Sequence, residues 1–164
     1  MKDIVKVLNA LSFEGFKACI ESSAKREKAP NLLESADGVY FATPFTGYLC
    51  WNSNMYNFYG AASPYTFTRN MAAKDGCNYE LHYVETIIRD KTTYIKLQYN
   101  NSEKLAYINN KIVPKALKSV ITDKYTQFFT TEGNGKGVIL VYSEPYTLAY
   151  LMPTIMKEDK KNDN

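Results

Sequence analysis

Histidine occurs once in the 164 residues, at position 82, tryptophan once and arginine three times. A single imidazole removes most metal and triad chemistry, which draws on clustered histidines, cysteines and carboxylates. The three cysteines, Cys19, Cys50 and Cys77, are odd in number and far apart. That argues against a disulfide framework and fits a compartment where thiols stay reduced. A zinc site would have to combine Cys19, Cys50, Cys77 and His82, without the close cysteine pair such sites use. A Cys50–His82 thiol dyad has nothing in the sequence to position it, and beside Trp51 in an apolar strand a buried, inert thiol is the ordinary outcome. No apolar run approaches the length that crosses a bilayer. The start, Met1-Lys2-Asp3-Ile4-Val5, lacks the apolar core and cleavage site of a secretion signal, so a cytoplasmic setting is expected. Gly133, Gly135 and Gly137 surround Lys136, but Gly137 stands where a phosphate loop needs Ser or Thr and no helix follows, so a hairpin turn is expected. No catalytic centre, metal or cofactor is expected.

What remains is a globular composition, 45% hydrophobic and 23% charged, in a chain the size of one domain. Lysine occurs 17 times, and asparagine and tyrosine 14 times each. Preference for Lys, Asn, Tyr and Ile over Arg follows AT-rich coding and points to a low-GC bacterium or its phage. A net charge of +3 is mild, so it attracts nucleic acid only where the lysines gather on one face.

Along the chain, Ile4, Leu8 and Leu11 have helical spacing while Val5-Lys6-Val7 alternates like a strand. Ser12 reads as an N-cap for a helix whose face carries Phe13, Phe16, Ile20 and Ala24, with Pro30 as the stop. Asp37-Gly38 marks a turn, Val39 to Thr43 a strand, and Phe45 to Trp51 a second. Residues 29–73 hold only three charges, Glu34, Asp37 and Arg69, while residues 40–67 hold 10 of the 23 aromatic side chains. Within that stretch Tyr56, Phe58, Tyr59 and Tyr65 read equally as core and as a partner surface. From Tyr79 the pattern becomes long alternating runs, Tyr79 to Arg89, Thr92 to Tyr99 and Lys104 to Ile108, with turns at Asp90-Lys91 and Asn100-Asn101-Ser102. A short helix over 110–120, with Pro114 in its first turn, precedes three strands: Tyr125 to Thr130, Gly137 to Tyr142 and Thr147 to Pro153. The tail, 157–164, has no apolar residue and reads as disordered.

On that second helix Lys111, Lys115 and Lys118 fall on one side and Val113, Ala116, Leu117 and Val120 on the other. Leu11, Phe16, Cys19, Ile20 and Ser22 match Ile108, Val113, Ala116, Leu117 and Ser119 at a constant offset of 97 positions. The first helix also carries Lys17, Lys25, Arg26 and Lys28, partly offset by Glu14, Glu21 and Glu27. The expectation is therefore an α+β domain of two strand-helix-strands repeats, with antiparallel sheets and two short helices and with residues 1–10 as a strand.

Asn109, Val113, Leu117 and Val120, then Tyr125 to Tyr142, then Ala149-Tyr150-Leu151-Met152-Pro153 resemble the last segment of the bacterial DNA sliding clamp, the ring-shaped processivity subunit of the replicative polymerase. Asp37-Gly38-Val39 to Ala42-Thr43 is similar to a clamp strand, although Pro44 and Phe45 replace the Asp-Gly that follows it there. The resemblance implies one clamp-like domain over 1–156 with an aromatic insertion at about 52–73. It implies non-enzymatic contact of Lys111, Lys115, Lys118, Lys17 and Lys25 with duplex DNA, without sequence readout. It also implies docking of replication partners near Tyr150, Leu151, Met152 and Pro153, which read equally as a buried last strand. A clamp chain has three such domains, so a ring here requires a homo-oligomer. The alternative is a protein-interaction module, for example an inhibitor of a host defence or replication enzyme, acting through the stretch from Tyr48 to Phe67 that includes Tyr56, Phe58 and Tyr59.

Overall fold

The computed structural model describes residues 3–26, 31–35, 38–42, 49–51 and 67–156. Asp3 opens the first helix: its Oδ1 accepts from the backbone N–H of Val5 at 3.1 Å and of Lys6 at 3.3 Å. Helix α1 then runs over Ile4–Arg26. Ile4, Val7, Leu8, Leu11 and Ala18 recur at helical spacing and pack into the core. The expected strand over residues 1–10 and the expected cap at Ser12 are thereby corrected. Val5-Lys6-Val7 alternates over three residues only, whereas the apolar stripe persists for about four turns and starts at a carboxylate acceptor.

The second helix is also shorter than expected. Residues 110–112 form a 3-10 turn capped by the Asn109 side chain, and α2 comprises only Lys115–Lys118. Val113, the residue before proline, is extended at φ −74° and ψ 122°. The proline ring disfavours helical backbone at that position and so splits the expected helix in two. Of the residues matched at the 97-position offset, Leu11 lies in a helix and Ile108 in a strand.

The sheet carries the strands β1 (Asn31–Ser35), β2 (Gly38–Ala42), β3 (Leu49–Trp51) and β4 (Phe67–Met71). A second group comprises β5 (Tyr79–Arg89), β6 (Thr92–Tyr99), β7 (Leu105–Asn109), β8 (Gln127–Thr130), β9 (Ile139–Ser143) and β10 (Tyr146–Leu151). The order across the sheet is β4-β1-β2-β3-β10-β9-β8-β5-β6-β7. Every pairing is antiparallel except β1 with β4. The protein is thus α+β, as expected, with β5 and β6 bounded as their alternation predicts. Asp90 and Lys91 both take positive φ, 51° and 65°, as a two-residue hairpin turn that follows the twist of its strands requires. Strand β4 falls within the expected insertion at 52–73 and is part of the sheet beside β1. Residues 52–66 of that insertion and the 157–164 tail lie outside the described residues.

The sheet curls. Its order puts β10 and β7 five strands apart, yet Thr154, three residues beyond β10, donates its N–H to the Tyr107 carbonyl of β7 at 2.7 Å. One face of the curled part holds the main core: Leu81, Ile95, Leu97, Ile108, Phe128, Ile139 and Val141 meet Leu8 and Leu11 of α1 and Leu117 of α2. Both helices therefore cover the same side of the sheet. On the opposite face Phe129, Leu140 and Tyr150 form a smaller cluster. The 3-10 turn Lys74–Gly76 lies over it, with the Lys74 ammonium 4.7 Å from the Tyr142 ring centroid and 5.5 Å from that of Phe129. Among the described residues no helix is long and apolar enough to cross a membrane.

Candidate nucleic-acid interface

With their apolar sides turned to the same sheet face, α1 and α2 present their outer sides to one common surface. What locks them together is a carboxylate. Glu14 of α1 accepts the Lys115 N–H on Oε1 at 2.7 Å and the Ala116 N–H on Oε2 at 3.0 Å. These are the first two backbone donors of α2, which a helix of four residues cannot satisfy internally. The positive end of α2 is thus met by protein, and an arriving anion would meet lysine side chains instead of free helix N–H groups.

Lys111, Lys115 and Lys118 do not share one continuous helix, since Lys111 lies on the 3-10 turn ahead of α2. Lys17 and Lys25 on α1, Lys111 on the 3-10 turn and Lys115 and Lys118 on α2 are all exposed, as is Lys6 near the start of α1. An ion pair between Lys96 and Glu85, at 3.0 Å, lies on the β5–β6 hairpin, and among the described residues none of the helix-side lysines forms one. Their charge is therefore open to solvent. Near the start of α1 a groove of about 760 Å3 is lined by Asp3, Asp123, Lys124 and Glu144 together with Ile4 and Tyr125. Two of its carboxylates are committed to backbone, Asp3 to α1 and Asp123 to the Tyr125 N–H at 3.0 Å.

The expected partner residues at the end of β10 divide. Tyr150 and Leu151 are 2% and 0% exposed, and the Tyr150 hydroxyl donates to the Ala72 carbonyl at 3.0 Å. Leu151 lies in the main core under the helices and Tyr150 in the smaller cluster beneath the 74–76 turn. Met152 is exposed and Pro153 half-buried, and Ile155, further along, is exposed as well. A shallow groove of about 380 Å3 lies beside Ile155, between β7 and the loop at 134–136. Tyr56, Phe58 and Tyr59 lie outside the described residues.

The groups weighed for chemistry are not brought together. His82 is exposed on the sheet face opposite the helices and shares a 2.7 Å hydrogen bond between Nδ1 and Asn100 Oδ1. Cys77 donates to the Ala73 carbonyl at 3.5 Å, and burial pushes its thiol up, away from the nucleophilic thiolate. The backbone of Cys50 pairs with Ala149 across β3 and β10. Among the described residues no three His, Cys, Asp or Glu side chains could hold a metal ion. The glycine run is a turn between β8 and β9, as expected. Gly135 sits at φ +74°, and its N–H donates to the Tyr99 hydroxyl at 3.0 Å, which itself donates to the Glu132 carbonyl at 2.6 Å. Burial is the main cause that raises the Tyr99 phenol, with the neighbouring Glu132 charge acting the same way.

Sequence reasoning missed Glu14 as the clasp between the helices, since 101 residues separate it from Lys115 and its only local signal was one more acidic residue. It also missed the exposure of Phe13, which had been assigned to the apolar face of α1. Compared with protein-family models, curated proteins and solved structures, the chain shows no match.

Proposed function

We propose that this chain is a non-enzymatic, DNA sliding-clamp-like protein that holds nucleic-acid backbone against its helix side inside the cell. The observation that carries the reading is the pair of helices laid on one face of a curled antiparallel sheet, with exposed lysines along them. Lysines arrayed this way neutralise phosphates without reading bases. The reading does not lean on an internal repeat. One domain cannot encircle DNA, so a closed ring needs copies of this chain to associate, as cyclic symmetry allows.

The test is a titration of labelled duplex DNA at about 50 and 200 mM salt. With one phosphate neutralised by each of Lys111, Lys115, Lys118, Lys17 and Lys25, affinity falls by a factor on the order of several hundred across that range. Changing Lys111, Lys115 and Lys118 to Glu abolishes binding and flattens the salt dependence of any remainder. Absence of duplex binding by wild type at low salt refutes the reading, and light scattering that shows a strict monomer at all concentrations refutes the ring. A protein partner is the second reading, favoured by exposed Met152 and Ile155 at the rim of the curled sheet. Among such partners a replication or host-defence protein fits a phage or mobile-element origin.

A further inference from the structure

Phe13 is 70% exposed in the middle of α1, the most exposed aromatic ring among the described large hydrophobics. Its position is at odds with core packing but regular with respect to charge. At 100° per residue Phe13 lies between Lys6 and Lys17 on the outer side of the helix, opposite the stripe of Leu8, Leu11 and Ala18. Lys17 stands one turn along, about 6 Å of helix rise from Phe13, and Lys6 two turns back. Glu14, next to Phe13 in the chain, holds the start of α2, which carries exposed Lys115 and Lys118. Lone exposed apolar residues are common on proteins. A phenyl ring held on a helix with exposed ammonium groups one and two turns away is a specific pairing of chemistries: a flat π-face for a base and cations for the phosphates on either side of it.

Resting on the DNA-binding reading above, we infer that the preferred ligand of this surface is single-stranded nucleic acid, with Phe13 as a stacking platform for an unpaired base. In a duplex the bases are already stacked and only sugar and phosphate reach a ring on a flat helix surface, so Phe13 contributes nothing there. In a single strand a base is free to lie on it, and the contact tolerates any sequence because every base has a π-face. Charge complementarity comes from Lys6 and Lys17 on the same stripe, with exposed Glu21 one turn beyond Lys17 marking its acidic end.

The experiment compares wild type, Phe13→Ala, Phe13→Trp and Lys17→Glu by fluorescence anisotropy against a labelled oligothymidine, a duplex of equal length, and anionic phospholipid vesicles. Phe13 is exposed and alanine favours helix, so the substitution leaves the fold intact. Expected is a loss of about tenfold in single-strand affinity for Phe13→Ala, with duplex affinity unchanged, retention by Phe13→Trp, and weakening of both ligands by Lys17→Glu. If Phe13→Ala leaves single-strand binding unaltered, or weakens duplex and single strand equally, the stacking role is overturned while DNA binding stands. Wild type binding neither nucleic acid overturns both readings. Phe13-dependent binding to vesicles without single-strand binding overturns the inference in favour of a lipid surface.

Discussion

Glu14→Ala tests the clasp on which the common helix surface depends. Its two oxygens accept the Lys115 and Ala116 N–H groups at 2.7 and 3.0 Å. A net hydrogen bond to a charged group contributes roughly 1.5–3 kcal/mol when well buried, and loss of a helix cap costs roughly 0.5–2 kcal/mol. Glu14 is only half-buried, so water takes over part of the role, and the expected loss is about 2 kcal/mol for the pair. For a chain of this length that is a fall in Tm of about 4–8 °C. Glu14→Gln keeps one acceptor oxygen and should lose about half as much. Urea unfolding followed by circular dichroism reads both. Lys115→Pro sharpens the test, since proline lacks one of the two donors and is tolerated at a first helical position. Extended backbone at Pro114, ψ 142°, accommodates a following proline. In that background Glu14→Ala should cost only about half its usual amount. A Glu14→Ala loss below about 0.5 kcal/mol, or full additivity with Lys115→Pro, would refute the clasp.

Two further outcomes follow from the sheet side. Gly135→Ala places a methyl carbon 2.7 Å from the Leu105 carbonyl oxygen at φ +74°, so thermal unfolding should show a loss of about 2 kcal/mol, and an unchanged Tm would contradict the turn geometry. Cys77 is held as the neutral thiol by burial. The folded protein therefore has nothing to lose at this site below the ordinary thiol pKa, and loses stability as pH rises through that value and the higher folded one. Peptide-resolved alkylation of Cys77 should accelerate with pH and reach half its maximal rate later in the folded than in the urea-unfolded protein. Coincident pH profiles would contradict burial.

Where a pattern extends over a whole element, it was legible. The alternation of Tyr79 to Arg89 and Thr92 to Tyr99 ends at the residues where the strands end, because the two positive-φ residues Asp90 and Lys91 interrupt it sharply. Helix α1 shows the limit: three alternating residues masked a stripe that reaches from Ile4 to Ala18. Placing Ser12 as a cap then put Phe13 on the wrong side of the helix. The parallel pairing of β1 with β4 has no sequence signal, since neither strand carries any mark of its distant neighbour. Tyr150 and Leu151 read as surface or core with equal force because alternation tells two faces apart but does not say that both are covered.

By itself the sequence determined the α+β class and the long hairpins. These follow from side-chain periodicity and turn chemistry, which act over a few residues and are written locally. Only the tertiary structure decided that α1 and α2 share one side of the sheet, that Glu14 holds the first N–H groups of α2, and that Thr154 returns to β7. Each of those joins residues about 50 to 100 positions apart through a backbone N–H or a shared core. Such donors and surfaces are present in every stretch of chain, and only the folded geometry selects which of them meet.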